Sequence, residues 1–157
     1  TCNVALIDRH ETKLGFVGVP AQNTLYVGGR ILPSLRAQRS SPEEYIHHQP
    51  AISGVTRVVA SKSHLNDETK TFIDNLKGEV VLVQAGSSLK FLKIATGEAD
   101  IYPRLGPTSE WDTAAAQAVL EGAGGTVTQI DGTPLRYGKD NILNPFFVAR
   151  AGSWPTA

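Results

Sequence analysis

Three charged residues of this chain sit where an element boundary could turn them on a ligand: Lys90, Arg104 and Asp112. Lys90 follows Gly86-Ser87-Ser88-Leu89, a glycine and two serines at the point where a strand pattern gives way to a helix. Such a junction offers backbone amides and hydroxyls to an anion. A lysine in a first helical turn opposes the helix dipole by about 0.3–1 kcal/mol, a cost that a bound anion would offset. The same side chain could instead run along the surface and keep its ammonium in water. Arg104 comes just past a short strand at 99–102, and strand ends in an α/β sheet are where ligands gather. Its planar fork can grip a phosphate with two parallel hydrogen bonds. Asp112 closes the spacing Ser109-Glu110-Trp111-Asp112, a capping box, so its plainest role is to complete a helix start. His47-His48 tempts a metal reading, but neighbouring side chains diverge and no further His or Cys stands at ligand spacing. A solvated loop is expected there.

The elements that must position these residues can be read from periodicity. Pro107 cannot sit inside a helix, and Gly124-Gly125 stops one. Between them the Asp112 helix is nearly all small residues, which lets other backbones approach and predicts burial between layers. Upstream, 3–8, 14–20 and 24–27 alternate with polar turns and read as an antiparallel meander. An edge of that meander needs a partner, for which a segment further upstream is expected. Cys2 is expected to pack as a small hydrophobe. Residues 29–50 show no clean period; Arg30, Arg36 and Arg39 make them basic, and 40–44 reads as a turn that could open one helical turn. Strands at 56–61, 79–84, 99–102, 126–130 and 145–149 then alternate with helices at 66–76 and 87–96 and the Asp112 helix. Asn66 is a good N-cap, with Asp67 and Glu68 in the first turn. Asp131-Gly132-Thr133-Pro134 is a turn, and 152–157 a frayed end. The alternation predicts an α/β fold: a mixed, mostly parallel sheet flanked by helices, preceded by a partial antiparallel meander.

At 157 residues the chain has the length of one ordinary domain. Fifteen basic and fifteen acidic side chains leave no net charge, which argues against a nucleic-acid or membrane-surface partner. One cysteine excludes an internal disulfide and points to a reducing, cytoplasmic compartment, with peripheral attachment to an inner membrane left open. No apolar run approaches the roughly 20 residues of a membrane span, and no signal-peptide pattern opens the chain. The start lacks Met and falls on a strand pattern, so further sequence upstream is expected.

Trp111-Asp112-Thr113-Ala114-Ala115-Ala116, followed by Gly122-Ala123-Gly124-Gly125, resembles the C-terminal signature of the inositol monophosphatase family of magnesium-dependent phosphatases. Ala116 stands where that motif usually has Gly. Ser87-Ser88-Leu89-Lys90-Phe91, the run from Gly97 through Asp100-Ile101-Tyr102-Pro103-Arg104 to Thr108, and Ser61-Lys62-Ser63-His64-Leu65-Asn66 narrow the likeness. They are similar to the family's CysQ-type bacterial 3'(2'),5'-bisphosphate nucleotidases, which hydrolyse adenosine 3',5'-bisphosphate to AMP in sulfate assimilation. The resemblance covers about 1–150 and is weakest over 29–50. It implies that Asp112 is a catalytic ligand of Mg²⁺ that also faces the substrate. It further implies that His64, Ser87, Lys90 and Arg104 contact the nucleotide and its non-reacting phosphate, and that the fold is the sugar-phosphatase-like one.

In the family the other metal ligands lie in a Glu-Glu pair and an Asp-Pro-Ile-Asp-Gly-Thr motif ahead of the strand that 1–6 resembles; that motif does not occur in this sequence, and its one Glu-Glu pair, Glu43-Glu44, lies downstream of that strand. Asp131-Gly132-Thr133 copies three of those letters in a downstream turn. By this resemblance 1–50 are residual strands and a loop of an N-terminal metal-binding domain, and 51–157 a C-terminal α/β substrate-binding domain. The expected ligand is a small nucleotide bisphosphate. The expected protein partner is the missing N-terminal half or a second copy. The isolated chain is expected to turn over little, because one carboxylate cannot clamp the ions that phosphoryl transfer requires. A family phosphatase acting on inositol phosphate or another sugar phosphate, and a non-catalytic nucleotide-binding fragment, are the alternatives.

Overall fold

The helix α3 (Glu110–Gly122) lies between two five-stranded sheets and buries every residue from Thr113 to Leu120. The computed structural model describes residues 1–49, 54–60 and 65–152. The first sheet is a meander, β1 (Cys2–Asp8), β2 (Glu11–Val19), β3 (Thr24–Gly29), β4 (Leu32–Gln38) and β5 (Ser41–Tyr45), each strand antiparallel to the next. Arg9 and His10 form its first tight turn, both at positive φ, as a two-residue hairpin loop that matches the strand twist requires. One face of the meander meets α3 at backbone distance. A Cβ on Gly15 would lie 2.1 Å from the Ala115 carbonyl oxygen, so only glycine on the strand lets the helix backbone come this close. Ser34 strengthens the contact, its hydroxyl donating to the Val119 carbonyl at 2.6 Å. The expectation of a small-residue helix pressed between layers holds.

The opposite face carries Val4 and Phe16, cross-strand partners, together with Leu6, Leu25 and Tyr45, all exposed. Cys2 is exposed as well, at the end of an edge strand, which corrects the expectation that it packs inside. A second correction concerns 29–50, expected as loop with one helical turn. The segment supplies β4 and β5. Every residue of β5 is exposed, Pro42 included, so that strand is held by backbone pairing and an Arg36–Glu44 ion pair rather than by burial. An edge strand without a buried face leaves no hydrophobic period to read. His48 is not in a solvated loop either: it is half-buried, its amide donates to the Ala123 carbonyl at 3.1 Å, and its ring packs at Gly124.

The second sheet runs in the order β7 (Glu79–Gln84), β6 (Val55–Ala60), β8 (Ile101–Arg104), β10 (Phe147–Arg150), β9 (Thr126–Gln129). β6 is parallel to β7 and β8, whereas β10 is antiparallel to both its neighbours. β10 alone therefore runs against the rest, which gives the expected mixed, mostly parallel α/β sheet. The helices α1 (Asp67–Asp74) and α2 (Leu89–Ala95) accompany it. Asn66 caps α1, its side-chain oxygen accepting the Thr69 amide at 3.0 Å. Val17 and Tyr26 of the meander belong to the same buried cluster as Val59, Phe91, Leu120 and Phe147, so the two sheets share one core across α3. Among the described residues no helix is long and apolar enough to cross a membrane.

Candidate functional site

Lys90, Arg104 and Asp112 arrive from three elements and line one cleft of about 190 Å³. Lys90 sits in the first turn of α2, Arg104 is the last residue of β8, and Asp112 lies in the first turn of α3. Arg104 thus ends its strand rather than following it, because β8 begins two residues later than the pattern suggested. Asp100, fully buried, is held out of the strand by an ion pair with Arg57, at 2.6 Å from the Nη2 and 3.0 Å from the Nε. A second cleft of about 170 Å³ shares Lys90, Tyr102 and Arg104 and continues to Asn66 and Thr69 at the start of α1.

Lys90 is only 8% exposed, so it does not run out to solvent. Its Nζ stands 5.5 Å from the centroid of the Tyr102 ring. Burial lowers its pKa, nearby Arg104 adds to that, and Asp112 opposes it. Burial likewise pushes the Tyr102 phenol up to about 12, with Arg104 pulling the other way, so the ring faces the ammonium as a neutral phenol. The Tyr102 ring is fixed from below by Phe91 and Phe147, edge-on to both at 5.4 and 5.7 Å. A cation held over a neutral ring and short of counter-charge is a receptor for anions. Arg104 reinforces this: its Nη2 donates to the Pro107 carbonyl at 2.9 Å, while its Nε is buried with no hydrogen-bond partner among the described residues.

Asp112 completes the capping box as read from the sequence. Its Oδ2 accepts the Ser109 amide at 2.8 Å, and its own amide donates to the Ser109 carbonyl at 3.0 Å. The side chain is nevertheless exposed, and among the described residues Oδ1 has no hydrogen-bond partner. One oxygen serves the fold, and the residue lines the cleft with the other unbonded among the described residues. Among the described residues no group of three or more His, Cys, Asp or Glu side chains could enclose a metal ion. Asp112 fits a magnesium ion as a single ligand, since that ion is commonly held by one or two carboxylates with waters and phosphate oxygens in the other positions.

The serines differ from expectation. Ser87 adopts positive φ, 51°, and α2 starts only at Leu89. The Ser87 hydroxyl lies 2.9 Å from Thr1 Oγ1, and the Ser88 hydroxyl lies 2.8 Å from Thr1 Oγ1 and 2.9 Å from Asn3 Oδ1. These hydroxyls tie the strand–helix junction to the start of β1 instead of standing free for an anion. His64 lies outside the described residues. Asn3 and Tyr102 line the cleft as well, and neither carries a sequence signal for it, since both lie in strands whose pattern marks only a strand. Asp131 accepts the Thr133 amide at 2.9 Å and its hydroxyl at 2.7 Å, which is turn chemistry, as the sequence implied.

A sequence model of the inositol monophosphatase family matches residues 1–149. The 3'(2'),5'-bisphosphate nucleotidase CysQ of Escherichia coli K12 is 38% identical over 148 residues, which cover 94% of this chain and 58% of that protein. The crystal structure of CysQ from Bacteroides thetaiotaomicron, a bacterial member of the same family, aligns with a TM-score of 0.86 at 34% identity, over 96% of this chain and 62% of that one. An inositol monophosphatase from Zymomonas mobilis shares the fold, with a TM-score of 0.75 at 22% identity, over 94% of this chain and 56% of that one. The chain spans less than two thirds of the length of each of these relatives.

Proposed function

The chain belongs to the inositol monophosphatase family, and on that premise we propose that it is the phosphate-binding part of a Mg²⁺-dependent 3'(2'),5'-bisphosphate nucleotidase. The substrate in this reading is adenosine 3',5'-bisphosphate, cleaved to AMP and phosphate. The observation that carries it is the pair of cations, Lys90 and Arg104, held beside each other in the cleft where Asp112 opens. Two adjacent cations repel, and one of them is buried in a helix's first turn; a phosphate group, close to doubly negative at neutral pH, makes that placement favourable. A substrate whose single phosphate is held at Asp112 would leave these two cations unmatched.

In this reading Lys90 and Arg104 hold the phosphate that is not cleaved, Lys90 as a point charge and Arg104 through its fork. Holding that group fixes the scissile one relative to Asp112, and positioning of this kind removes much of the barrier to reaction. His64 and Ser87 join the substrate set by resemblance, Ser87 through its backbone because its hydroxyl bonds to Thr1. Asp112 Oδ1 would ligate magnesium, which when bound supplies Lewis-acid neutralisation of the phosphoryl oxygens.

A second reading, nucleotide binding without turnover, rests on Asp112 being the one carboxylate that lines the cleft among the described residues. Phosphate release from adenosine 3',5'-bisphosphate and from inositol monophosphate, each with and without Mg²⁺, separates the readings. Under the first, the full-length enzyme releases phosphate faster from the nucleotide with Mg²⁺ while this chain alone releases little; under the second, the nucleotide binds with no release from either. Preference for inositol monophosphate would overturn both.

A further inference from the structure

The turn that carries Asp112 is bracketed by a segment far away in sequence. Asn144 is 8% exposed and its side-chain Nδ2 lies 2.9 Å from the Ser109 carbonyl, 3.0 Å from Thr113 Oγ1 and 3.2 Å from Thr108 Oγ1. The Ser109 carbonyl can only accept, so it is the nitrogen of the amide that faces it. That same carbonyl accepts the Asp112 amide, and the Ser109 N–H in turn holds Asp112 Oδ2. Asn144 therefore holds the peptides on both sides of Ser109: its side chain binds the Ser109 carbonyl, and its backbone reaches the peptide whose N–H fixes the Asp112 carboxylate. Its backbone amide adds a bond to the Thr108 carbonyl at 2.8 Å. At the far end of the segment the Glu110 carboxylate accepts the amides of Gly138 at 2.8 Å and Lys139 at 3.1 Å.

Three residues beyond Asn144, Phe147 is the cross-strand partner of Arg104 and stacks on Phe91, next to Lys90 in α2. One short stretch of chain thus touches the Asp112 turn and the backing of both cations. Stability alone explains Asn144 poorly: its Oδ1 is buried with no partner among the described residues, and a buried acceptor left without a donor weakens a fold. We propose that Asn144 is the positioning residue of Asp112, holding Oδ1 toward the cleft in fixed relation to Lys90 and Arg104. Its catalytic consequence rests on the nucleotidase reading; its geometric claim does not.

The test uses the ¹⁵N-labelled chain and two variants. Asn144→Leu keeps the volume and the backbone amide but removes the side-chain donor; Asn144→Asp keeps the shape without the donor pair. Losing a bracketing hydrogen bond should speed exchange of the Ser109 amide about 3- to 10-fold, while Val59 in the core stays within about twofold. An unchanged Ser109 amide, or Ser109 and Val59 accelerating by the same factor, would overturn the proposal in favour of a merely structural role. Where Mg²⁺-dependent release is measurable, the variants should lower kcat at unchanged KM, and the loss should vanish in an Asp112→Asn background. Losses that simply add in the double variant would also overturn it. Equal affinity of the wild-type chain for adenosine 3',5'-bisphosphate and AMP would count against the nucleotidase reading alone, because the exchange result decides the role of Asn144 by itself.

Discussion

Replacing Lys90 by Met should stabilise the protein and weaken its ligand. Lys90 is almost fully buried, lies in the first turn of α2, and faces Arg104. A positive charge at that end of a helix costs about 0.3–1 kcal/mol. Against this stands its contact with the Tyr102 ring, worth about 0.5–2 kcal/mol. Methionine keeps most of that contact, since a thioether against an aromatic ring contributes about 0.3–1.5 kcal/mol, and it needs no water. The midpoints of these ranges net to about 0.3 kcal/mol in favour of methionine, and relief of the buried ammonium's desolvation adds to it, for a gain on the order of 0.5–1 kcal/mol, or a rise of about 1–4 °C in Tm for a chain of this size.

The gain should depend on pH in a definite direction. Burial lowers the folded pKa of Lys90 below its ordinary 10.5. The folded state is therefore penalised wherever Lys90 stays protonated, and the penalty lifts as pH rises through the folded value, disappearing above 10.5. The advantage of Lys90→Met over wild type should be full at pH 7 and fade towards the ordinary lysine value. Affinity should move the other way, because losing a charge-assisted contact to phosphate costs about 1.5–3 kcal/mol, roughly a 10- to 150-fold weaker Kd. Urea melts at several pH values, with calorimetric titration of adenosine 3',5'-bisphosphate, measure both. A variant that is less stable at pH 7, or whose stability difference from wild type ignores pH, would refute the reasoning.

Asp112→Asn should keep its fold, since an amide oxygen can still accept the Ser109 N–H, yet in the full-length enzyme it should lose Mg²⁺-dependent phosphate release by about 100-fold or more; near-normal release would make Asp112 a cap and nothing else. Asp100→Ala leaves Arg57 without the carboxylate that holds it and should cost about 3–5 kcal/mol in urea unfolding, the range for breaking a buried pair. Gly15→Ala drives a methyl into the Ala115 carbonyl and should cost about 1–3 kcal/mol, whereas Gly18→Ala, whose new methyl would meet only Cys2 at 3.6 Å, should be near neutral. Equal losses for the two glycines would contradict the backbone-level contact between β2 and α3.

What the sequence discloses about this fold is mostly local. The α3 start needed only Ser109 and Asp112, and its burial only a run of small residues, because caps and side-chain size act within a few residues. The Asn66 cap of α1 was legible for the same reason. β4 and β5 were not, because their residues answer to neighbouring strands and to solvent rather than to a buried face. The cleft shows the same division. Lys90, Arg104 and Asp112 each sit at an element boundary, and boundaries leave marks. The contacts that define their surroundings span long separations: Ser88 to Asn3, Arg57 to Asp100, Asn144 to Ser109. Nothing in the residue types announces such pairings. The serines show the cost of local reading, since hydroxyls expected to stand free for an anion bind the start of β1.

The central claim is that the paired cations recognise a second phosphate on a nucleotide. It is tested most directly by calorimetric titration of the chain with adenosine 3',5'-bisphosphate and with AMP, in wild type and in Arg104→Ala. The account predicts that the bisphosphate binds at least about 10-fold tighter than AMP to wild type, from one further charge-assisted contact, and that Arg104→Ala erases most of that preference. Equal affinity for the two nucleotides in wild type, or a preference that survives Arg104→Ala intact, would contradict it.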